Sequence, residues 1–172
     1  MDNFSIGDKV IYPNQGIGVV EDIQKEKYFG QEFHIYHLRI VSNDSKIMVP
    51  SSNTEEIGIR RLISLDTIRE IYDFMRSGAV DVSMNWKGRY KEHVNLMKTG
   101  TIQDMAMVLK SLFYLNLVKP LSFREKKMME KAKELLVTEI SEVLHTTTEN
   151  TEQQLLNGLS DCFKNVSAQL DS

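Results

Sequence analysis

The residues with the most chemical potential lie in one short stretch, Asn85-Trp86-Lys87-Gly88-Arg89-Tyr90-Lys91. The chain's only tryptophan stands there among three cations and a tyrosine. No nucleophile and base are paired in it, so the chemistry on offer is non-covalent. Cations neutralise phosphate, and an indole wedges against or between bases of a partly unstacked duplex. An indole also buries a large apolar area, so the same seven residues read as a core anchor with solvated basic neighbours.

Other chemistries lack their residues. Gly16-Ile17-Gly18 is a fragment of a phosphate loop, and β-branched residues follow it where a helix is needed. His34 and His37 stand three apart on an expected strand, so they point to opposite faces and cannot share a metal. Nothing elsewhere has the spacing of a nucleophile–base pair or a carboxylate dyad. The chain is therefore expected to be no enzyme, with no catalytic residue, no metal and no cofactor.

Charge distribution sharpens the nucleic-acid reading. Net charge is only −3, but it is unevenly spread. Residues 1–83 hold 9 Lys+Arg against 13 Asp+Glu, residues 84–133 hold 11 against 4, and residues 134–172 hold 1 against 7. The middle segment thus carries +7 between segments of −4 and −6, a local footprint that the chain average hides. The alternative is a long helix with a solvated basic face. No run approaches the roughly 18 apolar residues of a membrane span. The opening Met1-Asp2-Asn3-Phe4-Ser5 lacks the cations of a secretory signal, and the single Cys162 cannot form an internal disulfide. A cytoplasmic setting is expected.

The elements that must position these residues fall into two periods. Residues 1–63 read as β. Runs at 9–12, 17–23, 33–40, 46–50 and 57–63 are separated by Pro13-Asn14-Gln15-Gly16, Phe29-Gly30 and Ser42-Asn43-Asp44-Ser45. In 33–40, Phe33, Ile35, His37 and Arg39 share one face, and His34, Tyr36, Leu38 and Ile40 the other. Such short strands with tight turns predict a small SH3-like or Tudor-like barrel, a module that often binds partners through an exposed strand edge.

From Ser64 the period becomes helical. Ser64 or Asp66 starts a helix that Gly78 stops. A second runs from Trp86 to about Lys98, with Tyr90, Val94 and Met97 as its core face. A third, from Thr101 to Pro120, has so broad an apolar face that it belongs at the centre of a bundle. Ser122-Phe123-Arg124-Glu125 is a capping box opening a long helix to about His145, with Phe123, Met128, Met129 and Leu136 among its apolar positions. The polar residues 146–150 read as a linker. A final helix at 152–170 has one apolar face, which docks on the bundle, serves self-association or enters a partner's groove. The fold class is α+β, divided as 1–63, 64–145 and 146–172.

Taken in order, these motifs resemble one family. Gly7-Asp8-Lys9-Val10-Ile11-Tyr12-Pro13-Asn14-Gln15-Gly16-Ile17-Gly18 is similar to the opening of CarD/CdnL-type bacterial transcription regulators. Met48-Val49-Pro50 with Asn53, Glu55, Glu56 and Ile57-Gly58-Ile59-Arg60 is similar to the end of their barrel. Asn85-Trp86, Arg89-Tyr90-Lys91, Gly100 and Leu121-Ser122-Phe123 with Glu125, Lys126 and Met128 resemble their helical domain. The resemblance covers residues 4 to about 145. It implies a Tudor-like domain that docks on the RNA polymerase β subunit. It also implies a helical domain that contacts double-stranded promoter DNA at the upstream edge of the transcription bubble, a cytoplasmic, nucleoid-associated role.

Under this resemblance Trp86 wedges into the minor groove and slows bubble closure. Lys87, Arg89, Lys91, Arg124, Lys126 and Lys127 hold phosphate without specifying sequence. Gly88 departs from relatives that carry a second basic residue there. Polymerase contacts would come from Lys25, Lys27, Lys46 and Met48, with His37 and Arg39 either joining them or standing as solvated edge residues. Two other readings remain open: a general DNA-binding protein acting without polymerase, and a protein-only adaptor.

Overall fold

The computed structural model describes residues 3–77, 80 and 86–166. They form two compact units, 1–62 and 63–172.

The first unit is a five-stranded antiparallel sheet built from β1 (Lys9–Tyr12), β2 (Gly16–Tyr28), β3 (Gln31–Ile40), β4 (Lys46–Pro50) and β5 (Arg60–Arg61), in the order β4-β3-β2-β1-β5. The β2–β3 turn is tight because Phe29 and Gly30 both take positive φ, 49° and 76°, which matches the twist of a two-residue hairpin. A bulge between Val20 and Asp22 re-aims the start of β2. Tyr36, Leu38 and Ile40 are buried, and Tyr36 and Leu38 join Phe4, Val10, Val20, Val49 and Ile59 in the core, so the alternation in β3 has the expected faces.

The expected fifth strand is shorter than its apolar run. Thr54–Ile57 instead forms α1, where Glu55 and Glu56 favour the first helical turn and Gly58, at φ 86°, ends it. Only Arg60–Arg61 remains to pair with β1. Among the described residues the pairing runs in one line, leaving β4 and β5 as edges.

The second unit contains α2 (Leu65–Arg76), α3 (Trp86–Thr99), α4 (Ile102–Val118), α5 (Phe123–Leu144) and α6 (Thr148–Cys162). Ser64, Thr101, Ser122 and Thr147 each cap the following helix by accepting a backbone N–H. α4 is the central element, with Ile102, Met105, Ala106, Val108, Leu109, Leu112 and Leu115 all buried.

The terminal helix starts four residues earlier than its apolar pattern, because Thr147, in the stretch read as linker, is its cap. It docks on α2 and α5. Leu155, Leu159 and Phe163 are buried in the common core, and Gly158 brings α6 close to α2, where an added Cβ would lie 3.5 Å from Met75 Cβ. Lys133 bridges α5 to Glu152 of α6 at 3.0 Å. The face on which self-association through residues 152–170 would rest is thus covered within the chain; residues 167–170 lie outside those described.

Candidate nucleic-acid and polymerase interfaces

In a helix each residue advances about 100°, which gives α3 two sides. Lys87, Lys91 and Lys98 form one row and are exposed. Arg89, His93 and Met97 form the other, where His93 and Met97 are buried. The expected core residues Tyr90 and Val94 are only half-buried, and His93 takes the inner place. Trp86 is the first residue of α3, and its side chain lies outside the described residues.

Arg89, expected to hold phosphate, is engaged by a carboxylate of a neighbouring helix. Its Nε donates to Glu125 Oε1 at 2.8 Å and its Nη2 to Glu125 Oε2 at 3.3 Å, a two-pronged pair whose side chains are 13% and 2% exposed. The same Oε2 accepts from the backbone N–H of Ser122 at 3.3 Å, as the capping box requires. Burial alone would raise the Glu125 carboxyl. The Arg89 and Ser122 hydrogen bonds and the Arg89 charge outweigh it and hold the group below the usual carboxylate range. His93 beside it is pushed down by burial, against the raising influence of Glu92 and Glu125, and its Nδ1 has no hydrogen-bond partner among the described residues.

On α5, Arg124, Lys126 and Lys127 are all exposed in the first turn and a half. Phe123, expected on the apolar side, is 72% exposed instead, with the Lys127 ammonium 4.6 Å above its ring. The angular position of Phe123, about 180° from the Ala132–Leu136 side, was the available signal that it faces outward. The Arg89–Glu125 pair joins the start of α3 to the start of α5. Lys87 and Lys91 therefore belong to a helix start tied directly to the one bearing Arg124, Lys126 and Lys127. Among the described residues none of these five cations makes an ion pair.

A second cation of the basic segment is also internal. Lys110 is 1% exposed and donates to the carbonyls of Phe74, at 2.5 Å, and Ser77. It thereby caps the C-terminus of α2, where a positive charge complements the helix dipole, and it lies over the Phe74 ring at 4.5 Å. Cys162 Sγ donates to the same Ser77 carbonyl at 2.8 Å.

The six residues expected to face polymerase separate into two groups by register. Directly opposed residues share a sheet face. Asp22, His37 and Met48 form one cross-strand row, and Val19, Arg39 and Lys46 the next. Lys25 opposes His34 and Lys27 opposes Glu32, which puts both lysines on the other face. Within the first group, Arg39 is paired with Glu21 at 2.6 Å and Asp44 at 3.2 Å, and His37 Nε2 lies 3.1 Å from Gln24 Oε1. The Glu21 hydrogen bond raises the Arg39 pKa despite partial desolvation. Met48, 67% exposed on edge strand β4, is the one apolar member presented to solvent.

Among the described residues, no group of His, Cys, Asp or Glu could hold a metal ion, and no helix is long and apolar enough to cross a membrane.

The chain is thus a five-stranded sheet unit followed by a helical unit that carries a cationic pair of helix starts. Residues 4–63 match the CarD-like/TRCF RID domain, and residues 70–156 match the CarD C-terminal domain. The chain belongs to the CarD family of transcription factors, a family of regulators and not of enzymes, and its role is transcription regulation linked to RNA polymerase. It is 32% identical over 146 residues to "Putative transcription factor YdeB" of Bacillus subtilis (strain 168), covering 85% of this chain and 95% of that protein. The solved structure of CdnLNt from Myxococcus xanthus is 39% identical and covers 37% of this chain and 90% of that one, with a TM-score of 0.29. The C-terminal match reaches 156, beyond the limit near 145 that the motifs alone gave, and so includes the first half of α6.

Proposed function

We propose that the sheet unit binds the RNA polymerase β subunit and that the helical unit binds promoter DNA at the upstream edge of the bubble, stabilising the open complex. Trp86 is the wedge. Lys87, Lys91, Arg124, Lys126 and Lys127 neutralise phosphate around it. Binding that favours the open state over the closed one shifts the equilibrium by that difference in affinity.

The observation that carries this reading is the pair of helix starts joined by Arg89 and Glu125. Cations in a helix's first turn oppose its dipole, so Arg124, Lys126 and Lys127 hold an electrostatically unfavourable place that a nearby anion relieves. On the sheet, edge strand β4 with exposed Met48 and neighbouring Lys46 suits a docked protein segment.

The test is the lifetime of open promoter complexes formed by the cognate polymerase with this protein, with Trp86→Ala, and with neither. The expected result is a longer lifetime that Trp86→Ala abolishes. A longer lifetime untouched by the substitution removes the wedge. No effect from the intact protein returns the chain to the adaptor reading.

A further inference from the structure

We infer that the Arg89–Glu125 pair is a positioning device, which fixes the tryptophan-bearing first turn of α3 against the cationic first turn of α5. This inference rests on the reading of Trp86 as the DNA wedge.

Arg89 is three residues from Trp86, so anchoring its side chain anchors the turn that carries the indole. The anchor is itself held by hydrogen bonds. Glu125 is the N3 residue of a capping box, and its carboxylate is held by the Ser122 backbone N–H before Arg89 reaches it. Two parallel hydrogen bonds from a planar fork fix orientation as well as distance, which a lysine ammonium does not.

The first turn of α3 needs such an anchor. Gly88 lies within it, and an added Cβ there would meet nothing within 4 Å. Packing therefore does not require the glycine, and its backbone freedom weakens the turn by about 1 kcal/mol relative to alanine. The pair holds in place a turn whose own sequence does not.

A phosphate contact and a positioning pair differ in ways that can be measured. The variants are Arg89→Met, Glu125→Gln, their combination, and Arg89→Met with Gly88→Ala, each checked by circular dichroism. The sole tryptophan is itself the reporter. Fluorescence anisotropy of the free protein follows the first turn of α3 without DNA or polymerase. Both single variants should lower that anisotropy and shorten the open-complex lifetime by roughly tenfold, and the double variant should do no more than either. The slope of log affinity for duplex DNA against log salt should stay unchanged. Gly88→Ala should restore most of the lifetime lost with Arg89→Met, because it strengthens the turn by another route.

The inference is overturned if Arg89→Met leaves the anisotropy unchanged, or if it costs as much in the Glu125→Gln background and lowers the salt slope by about 0.9, as one lost phosphate contact does. If Trp86→Ala has no effect on lifetime, the wedge reading fails by itself, and the anisotropy still decides whether the pair positions α3.

Discussion

The basic segment at 84–133 contains two kinds of cation, and their surroundings are opposite. Arg89 and Lys110 point inward, each against acceptors supplied by another helix: the Glu125 carboxylate for one, the Phe74 and Ser77 carbonyls for the other. Lys87, Lys91, Arg124, Lys126 and Lys127 point outward, and three of them crowd the positive end of α5. The first kind contributes stability because it gives buried acceptors a charged donor, a stronger hydrogen bond than the neutral donors they also have. The second costs some stability and has its use only when an anion arrives. A charge count treats the two alike; only the location of the acceptors separates them.

The largest effect expected from this contrast is at Lys110. Replacing it with methionine keeps the buried stem but takes the charged donor from two carbonyls at the end of α2, leaving the Phe74 carbonyl to Ser77 and the Ser77 carbonyl to the weak Cys162 thiol donor. The helical unit should lose about 2–4 kcal/mol in urea unfolding, from the unmade hydrogen bonds and the imperfectly filled space. A loss under about 0.5 kcal/mol, the range of surface substitutions, would dissolve the distinction between inner and outer cations.

Next in size is a pH effect around the inner cation Arg89. His93 lies one turn beyond Arg89 on α3, within electrostatic reach of Arg89, of Glu92 on its own helix and of Glu125 on α5. Its folded pKa is depressed below the ordinary 6.5, chiefly by burial. The unfolded chain therefore binds the proton first as pH falls. The stability associated with neutral His93 is complete above about 6.5 and declines as pH drops toward the folded value. Glu125, also depressed, adds a loss of the same sign further into acid. Melting temperature should fall between pH 7 and pH 5. His93→Gln should flatten that dependence, and an unchanged profile would mean that the histidine is not titrating where it is packed.

How much of this could be read from the chain follows the same division. The alternation of Tyr36, Leu38 and Ile40, the cap at Ser122 and the breadth of the α4 apolar face are local patterns, and the elements follow them. The fate of Arg89 and Lys110 depends on what another helix presents, tens of residues away, which no local pattern encodes. The same holds for α6. Its apolar stripe announced that something covers it, but only the close approach at Gly158 shows that α2 does. On the sheet, alternation placed His37 and Arg39 on one face, while the pairing of Lys25 with His34 required the cross-strand register. Phe123 was misplaced for another reason: its residue type suggested the core, although its angle around α5 pointed outward.

The smallest effect, in stability, belongs to the outer cations and has the opposite sign from Lys110. Lys126→Gln with Lys127→Gln removes two positive charges from the N-terminal turns of α5, so the helical unit should become more stable by about 0.3–1 kcal/mol. Lys127 also lies over the Phe123 ring, and loss of that contact offsets part of the gain. The same double variant should weaken duplex binding at every sequence tested and lower the salt slope by about 1.8, two phosphate contacts at about 0.9 each. The two readouts move in opposite directions, and that opposition is the signature of residues kept for an anion rather than for the fold. If stability rose while DNA affinity and slope stayed constant, the cations would be solvated surface. If both stability and binding fell, Lys126 and Lys127 would belong with Arg89 and Lys110, held by acceptors inside the helical unit.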